Sequence, residues 1–158
     1  IGYRTANLAK AFGAKVIGYN RSHSHDDITY TDLNTLLQTS DIVSIHLPLT
    51  KDTKHFIDKD KLSLMKKDAI LINTARGGII DNEALAEALK KGEIAGAGID
   101  VFDMEPPLPE DYPLLSAPHT VLTPHVGFDT EEAMERRAAI VADNLKSFVE
   151  GKQKNIIC

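Results

Sequence analysis

Apolar positions along the chain fall into two spacings. Short apolar runs of strand length occur at Lys15–Tyr19, Asp41–His46, Ala69–Ile72, Ile94–Ile99 and Val121–Thr123. Between them, apolar residues return every three or four positions, the period of one helix face. Residues 1–12 make the first such segment, through Ile1, Thr5, Leu8, Ala9 and Phe12, with Gly13 as its stop. Thr31 is placed to cap a second, running through Gln38, with Leu33, Leu36 and Leu37 turned inward. Asp58 starts a third that holds Leu62, Leu64 and Met65, the methionine as core packing. Asp81 caps a fourth, from Asn82 to Lys91, which stops at Gly92. Asp129 with Glu132 reads as a capping box for the last, which sets Met134, Ala138, Val141, Leu145 and Phe148 on one face and ends at Gly151. Strands alternating with helices predict an α/β fold with a doubly wound parallel sheet.

The stretch from Ala69 to Asp100 organises the rest. It is a βαβ unit whose first strand, Ala69–Ile72, is apolar enough to be buried on both faces. Arg76 follows that strand and Asp100 follows the next, and open parallel sheets bind ligands just past the carboxyl ends of their strands. The strand at Asp41–His46 must end by Pro48, since proline donates nothing to a sheet ladder. His125 follows the last strand, after Thr123-Pro124.

These polar positions carry complementary chemistry. Arg76 is permanently charged and offers a planar fork that suits a carboxylate. His125 titrates near neutrality as an unperturbed side chain and suits a general acid and base. Glu105 is followed by Pro106 and Pro107, which fix it in place, and a carboxylate beside an imidazole sets the tautomer of the ring. Each has an ordinary alternative: a surface salt bridge for Arg76, a hydrogen-bonded loop residue for His125. Together they supply a substrate anchor, a proton carrier and the group that tunes it. The loop SHSHDD, residues 22–27, pairs histidines with aspartates, but no other part of the chain supplies matching metal ligands, so a solvated polar loop is expected.

Composition narrows the classes. A chain of 158 residues with 42% hydrophobic content can bury a real core. The formal net charge of −5 gives no electrostatic reason to expect a nucleic acid or an anionic membrane as partner. The single cysteine, Cys158, allows no intramolecular disulfide and fits a reducing, cytoplasmic compartment. No apolar run has the length of a membrane span. The chain opens in mid-element and without methionine, so a piece of something longer is expected.

The strings LINTARGGIIDNEALAEALKKGEIAGAGIDVFDMEPP and TPHVG resemble the nucleotide-binding domain of the D-isomer-specific 2-hydroxyacid dehydrogenases. The resemblance implies a Rossmann-like sheet over residues 1–158, lacking its first strand, with the substrate domain outside these residues. It implies an NAD- or NADP-dependent oxidoreductase that interconverts a small D-2-hydroxy acid and its 2-oxo acid, acting as a homodimer. By the same resemblance Arg76 holds the substrate, His125 donates the proton in reduction and Glu105 polarises His125. Cofactor contacts map onto Ile1 and Gly2 at the pyrophosphate, Asn20 at the adenosine ribose, and Asp100 on the nicotinamide side. Leu47, Pro48, Thr53, Thr74, Ala75, Arg76, His125 and Gly127 complete that set. A dinucleotide-sensing binding protein, as in the corepressors that resemble this family, is the alternative.

Two departures matter. Of the glycine fingerprint G-x-G-x-x-G only the last, Gly2, is present, so the first strand and two glycines are expected upstream. The second strand ends in Asn20-Arg21-Ser22 where the family usually places an aspartate. A neutral amide beside a cation removes the repulsion of a 2′-phosphate, which leaves NAD and NADP both open, with Arg21 as the phosphate contact or as a solvent-facing charge.

Overall fold

The computed structural model describes residues 1–21, 25–104 and 107–156. Its elements in chain order are α1 (Gly2–Ala11), β1 (Ile17–Gly18), β2 (Thr29–Tyr30), α2 (Leu33–Thr39), β3 (Ile42–Ile45), α3 (Lys59–Ser63), β4 (Ile70–Asn73), α4 (Asn82–Lys91), β5 (Gly96–Ile99), β6 (Thr120–Leu122) and α5 (Glu131–Val149). Every strand pairing is parallel, as expected: β1 with β2, and β3–β4–β5–β6 as a four-stranded sheet. The two sheets share no hydrogen-bonded pair among the described residues. The chain folds as two compact units, Ile1–His125 and Val126–Cys158.

The core lies in the first unit. Val43, Ile45, Leu71, Ala97 and Ile99 from the larger sheet share one buried cluster with Leu62 of α3, Leu85 and Leu89 of α4, and Leu114. Burying Leu85 and Leu89 contributes about 1.5–3 kcal/mol each, against about 1 kcal/mol for the Asp81 cap. Packing therefore holds α4, and the cap sets where it starts. β4 departs from expectation. Leu71 and Asn73 are fully buried, but Ile70 keeps 40% of its surface, so the strand is buried on one face only. Side chains alternate across a strand, and α3 and α4 cover one of its two faces.

Helix boundaries follow local chemistry. Asp58 and Asp81 cap as expected, their carboxylates accepting from the Lys61 and Ala84 amides, and Gly92 ends α4 at φ 64°. Two caps sit one residue later than expected. Asp32 rather than Thr31 caps α2, and Thr130 rather than Asp129 caps α5 by accepting from the Ala133 amide. In each pair both residue types are able to cap, and the one that does has extended backbone. The shift leaves Glu132 too early to close a capping box.

β1 is shorter than the expected strand, and β2 had no sequence signal strong enough to reveal it. On α5, Met134, Ala138, Val141 and Leu145 share one face as expected, and none of its residues is buried. In the loop after β1, His25 stacks on Tyr3 with ring centroids 3.8 Å apart, and Asp27 pairs with Lys10 at 3.0 Å. Ser22, His23 and Ser24 lie outside the described residues. No group of His, Cys, Asp or Glu among the described residues is placed to hold a metal ion. Among the same residues, no helix is long and apolar enough to cross a membrane.

Candidate active site

The parallel register puts Ile45, Asn73, Ile99 and Leu122 in one row across the sheet. The residues that follow each strand therefore share one edge: His46–Pro48, Thr74–Arg76, Asp100, and Thr123–His125. Neighbouring strands lie about 4.8 Å apart. Arg76, after β4, and His125, after β6, are thus rooted two strand spacings apart, with Asp100 between them.

Each of these segments is fastened by its own polar contacts. Asn73 is fully buried, its amide nitrogen donating to the Arg76 carbonyl oxygen and its side-chain oxygen accepting from the Ala75 amide, both at 3.0 Å. This side chain closes the turn that carries Thr74, Ala75 and Arg76. Arg76 itself is exposed, and its Nη1 donates to the Ala75 carbonyl oxygen at 2.6 Å. Asp100 is 5% exposed and accepts from the Thr123 hydroxyl at 2.6 Å. That bond joins the end of β5 to the start of the His125 loop, where the His125 amide donates to the Thr123 carbonyl oxygen at 3.0 Å. His125 holds φ 58°, a left-handed backbone that a residue with a side chain rarely adopts.

Gly2 opens α1, and a Cβ there would meet the His46 side chain at 3.1 Å, which brings the helix start to the end of β3. Ile1 makes no side-chain cap bond to α1. His46 is half-buried, bonds Ser44 Oγ at 2.9 Å, and has its pKa pushed down by burial. The buried Thr53 hydroxyl donates to the Pro48 carbonyl oxygen at 2.6 Å and accepts from the Thr50 amide at 2.7 Å, shaping the turn behind Leu47 and Pro48. Asn20 follows β1, and Arg21 reaches Asp52 at 3.8 Å with both side chains exposed. Gly127 belongs to the second unit. Glu105 lies outside the described residues.

A cleft of about 750 Å³ opens beside Arg76, lined also by Lys51, Lys54, His55, Phe102 and Asp103. Its floor is a close backbone contact: a Cβ on Gly77 would lie 1.9 Å from the Phe102 carbonyl carbon. Sequence reading singled out none of Asn73, Gly77, His46 or Tyr112. Only Asn73 carried a signal, as an Asx residue directly after a strand.

Residues 1–127 match the family model described as D-isomer specific 2-hydroxyacid dehydrogenase, NAD binding domain. The chain belongs to this family. The glyoxylate reductase of Thermofilum pendens is 47% identical over 158 residues, which cover 96% of this chain and 46% of that protein. The NAD-complexed D-isomer specific 2-hydroxyacid dehydrogenase of Lactobacillus delbrueckii ssp. bulgaricus superposes with a TM-score of 0.90 at 38% identity, over 100% of this chain and 53% of that one. An acyclic imino acid reductase in complex with NADPH and D-Arg superposes with a TM-score of 0.89 at 38% identity, over 100% and 50%. The dehydrogenase-family chain thus spans about half the length of these relatives. Its row of strand-end residues fits a nicotinamide dinucleotide.

Proposed function

We propose that the protein interconverts a small D-2-hydroxy acid and its 2-oxo acid, using NAD or NADP. The observation that supports this reading is the shared sheet edge, where the segments carrying Arg76, Asp100 and His125 follow three neighbouring strands. The α1 amides at Ile1 and Gly2 would hold the pyrophosphate. Asn20 and Arg21 would face the adenosine ribose, and Leu47, Pro48, Thr53, Thr74, Ala75, Arg76, Asp100 and His125 would complete the cofactor site in the first unit. The bound nicotinamide supplies the hydride. Arg76 binds the substrate carboxylate and the carbonyl oxygen on which negative charge develops, and His125 delivers a proton to that oxygen. Glu105 polarises His125. The proposal extends to a cytoplasmic homodimer.

The test is nicotinamide-linked turnover of glyoxylate, hydroxypyruvate and pyruvate by the full-length protein. Tight dinucleotide binding with no turnover of any 2-oxo acid would favour a dinucleotide-sensing role. Arg76→Lys keeps the charge and loses the two-point fork. It is expected to raise KM for the 2-oxo acid and lower kcat. Unaltered kinetics would make Arg76 a structural residue.

Cofactor choice is tested separately. With Asn20 and Arg21 in place of an acidic residue, the full-length protein is expected to accept NADPH. Asn20→Asp should then shift the kcat/KM ratio toward NADH, because a carboxylate repels the 2′-phosphate. Complete indifference of the wild-type protein to NADPH would overturn this reading of the loop.

A further inference from the structure

Asp103 is an acid on a cleft wall shared with Arg76, Lys51, Lys54 and His55. It stands close to the proposed anchor, since Gly77, the residue after Arg76, would with a Cβ lie 2.4 Å from the Asp103 nitrogen. A carboxylate there is a competitor for the guanidinium. It is held elsewhere: the Tyr112 hydroxyl donates to Asp103 Oδ1 at 2.6 Å. The Arg76 guanidinium is bonded to the Ala75 carbonyl oxygen, and among the described residues no carboxylate pairs with it.

Tyr112 is built to keep this hold. Only 6% of it is exposed, and its ring meets Phe102 edge to face at 5.7 Å between centroids. Burial, then the Asp103 carboxylate beside it, push its pKa up, so the hydroxyl remains a donor across the physiological range. Asn82 stands at the same hydroxyl and favours the phenolate slightly, against that push. The Asn82 amide is buried without a hydrogen bond at normal distance among the described residues, so it does not replace Asp103 as the partner of Tyr112.

We propose that Tyr112 is a positioning residue that holds the Asp103 carboxylate off Arg76 and so keeps the guanidinium open to the substrate carboxylate. This rests on the assignment of Arg76 as substrate anchor. Without the hydroxyl, Asp103 is free to pair with Arg76, and the substrate must displace it.

The experiment is steady-state kinetics of the full-length protein with a 2-oxo acid. Tyr112→Phe keeps the ring and its packing and removes only the donor. KM is expected to rise about 2- to 5-fold, the range of a partly exposed ion pair, with kcat changed less than about 1.5-fold. Adding Asp103→Asn to that variant should restore KM, because a neutral amide no longer competes. A merely structural role predicts no such rescue, since removing a charge does not rebuild packing. An unchanged KM in Tyr112→Phe, or a raised KM that Asp103→Asn leaves raised, overturns the proposal. If Tyr112→Phe does not fold, Asp103→Glu takes its place: a longer carboxylate outreaches the hydroxyl and should raise KM, and an unchanged KM there overturns the proposal equally. Arg76→Lys separates the two assignments. If it leaves KM unaltered, the anchor fails and the role of Tyr112 with it. If it raises KM while Tyr112→Phe does not, only the role of Tyr112 fails.

Discussion

Replacing His125 with glutamine is expected to lower kcat/KM for 2-oxo acid reduction by about 10²–10⁴-fold, the usual worth of a positioned acid–base group. Glutamine keeps a polar side chain of similar reach and cannot cycle a proton near neutrality. The surroundings are built to hold this position. The loop takes φ 58° at His125, and a strained backbone of that kind costs about 1–3 kcal/mol, which persists only where neighbours enforce it. The Asp100–Thr123 bond and the Thr123 carbonyl bond to the His125 amide are those neighbours. Glutamine meets the same strain, so the melting temperature should move little. Single-turnover reduction with bound NADH isolates the step. Near-normal turnover in His125→Gln would remove the imidazole from the proposed chemistry.

The second large effect is expected at Gly77. A Cβ there would lie 1.9 and 2.0 Å from the carbon and oxygen of the Phe102 carbonyl and 2.4 Å from the Asp103 nitrogen. All three are backbone atoms, so no rotamer change relieves the clash, and one loop must move by more than an ångström. Overpacking of this kind costs about 3 kcal/mol or somewhat more, which in a domain of this size lowers the melting temperature by about 6–12 °C. Arg76 is the adjacent residue, and misplacing a substrate anchor by about 1 Å costs about 10²-fold in turnover. Gly77→Ala should therefore lose both stability and activity. Gly92 is the contrast: it holds φ 64°, and a Cβ added there would meet nothing within 4 Å, so its need is conformational and not spatial. A Gly77→Ala protein with wild-type melting and kinetics would show that the two loops are not locked together.

The sequence disclosed the parts of this architecture that depend on near neighbours. Asp58, Asp81 and Gly92 mark helix ends through contacts within one turn, and the strand-end placement of Arg76, Asp100 and His125 follows from the alternation of elements. Cap positions at Thr31-Asp32 and Asp129-Thr130 slipped by one because adjacent residues were equally competent. β2 escaped notice because two residues carry no periodicity. Contacts that join distant segments were illegible for a different reason. Nothing in the local pattern ties Gly77 to Phe102, or the Tyr112 hydroxyl to Asp103, since each pairing exists only after the sheet has set the two loops side by side. The burial of one β4 face and not the other is likewise a property of what packs there, not of the strand.

The ion pair between Arg21 and Asp52 has a different character from the clamps around Arg76. Its side chains keep 76% and 80% of their surface and meet at 3.8 Å, whereas Asn73 and Tyr112 are buried behind bonds of 3.0 and 2.6 Å. An exposed pair of this kind contributes about 0–1 kcal/mol, and its members can be exchanged with little effect on folding. The proposed adenosine end of the site can therefore drift through sequence space almost freely, while the substrate end is tied to the integrity of the core. Cofactor preference should be the property that varies first among descendants of this chain, and the one a protein engineer can redirect without first restabilising the scaffold.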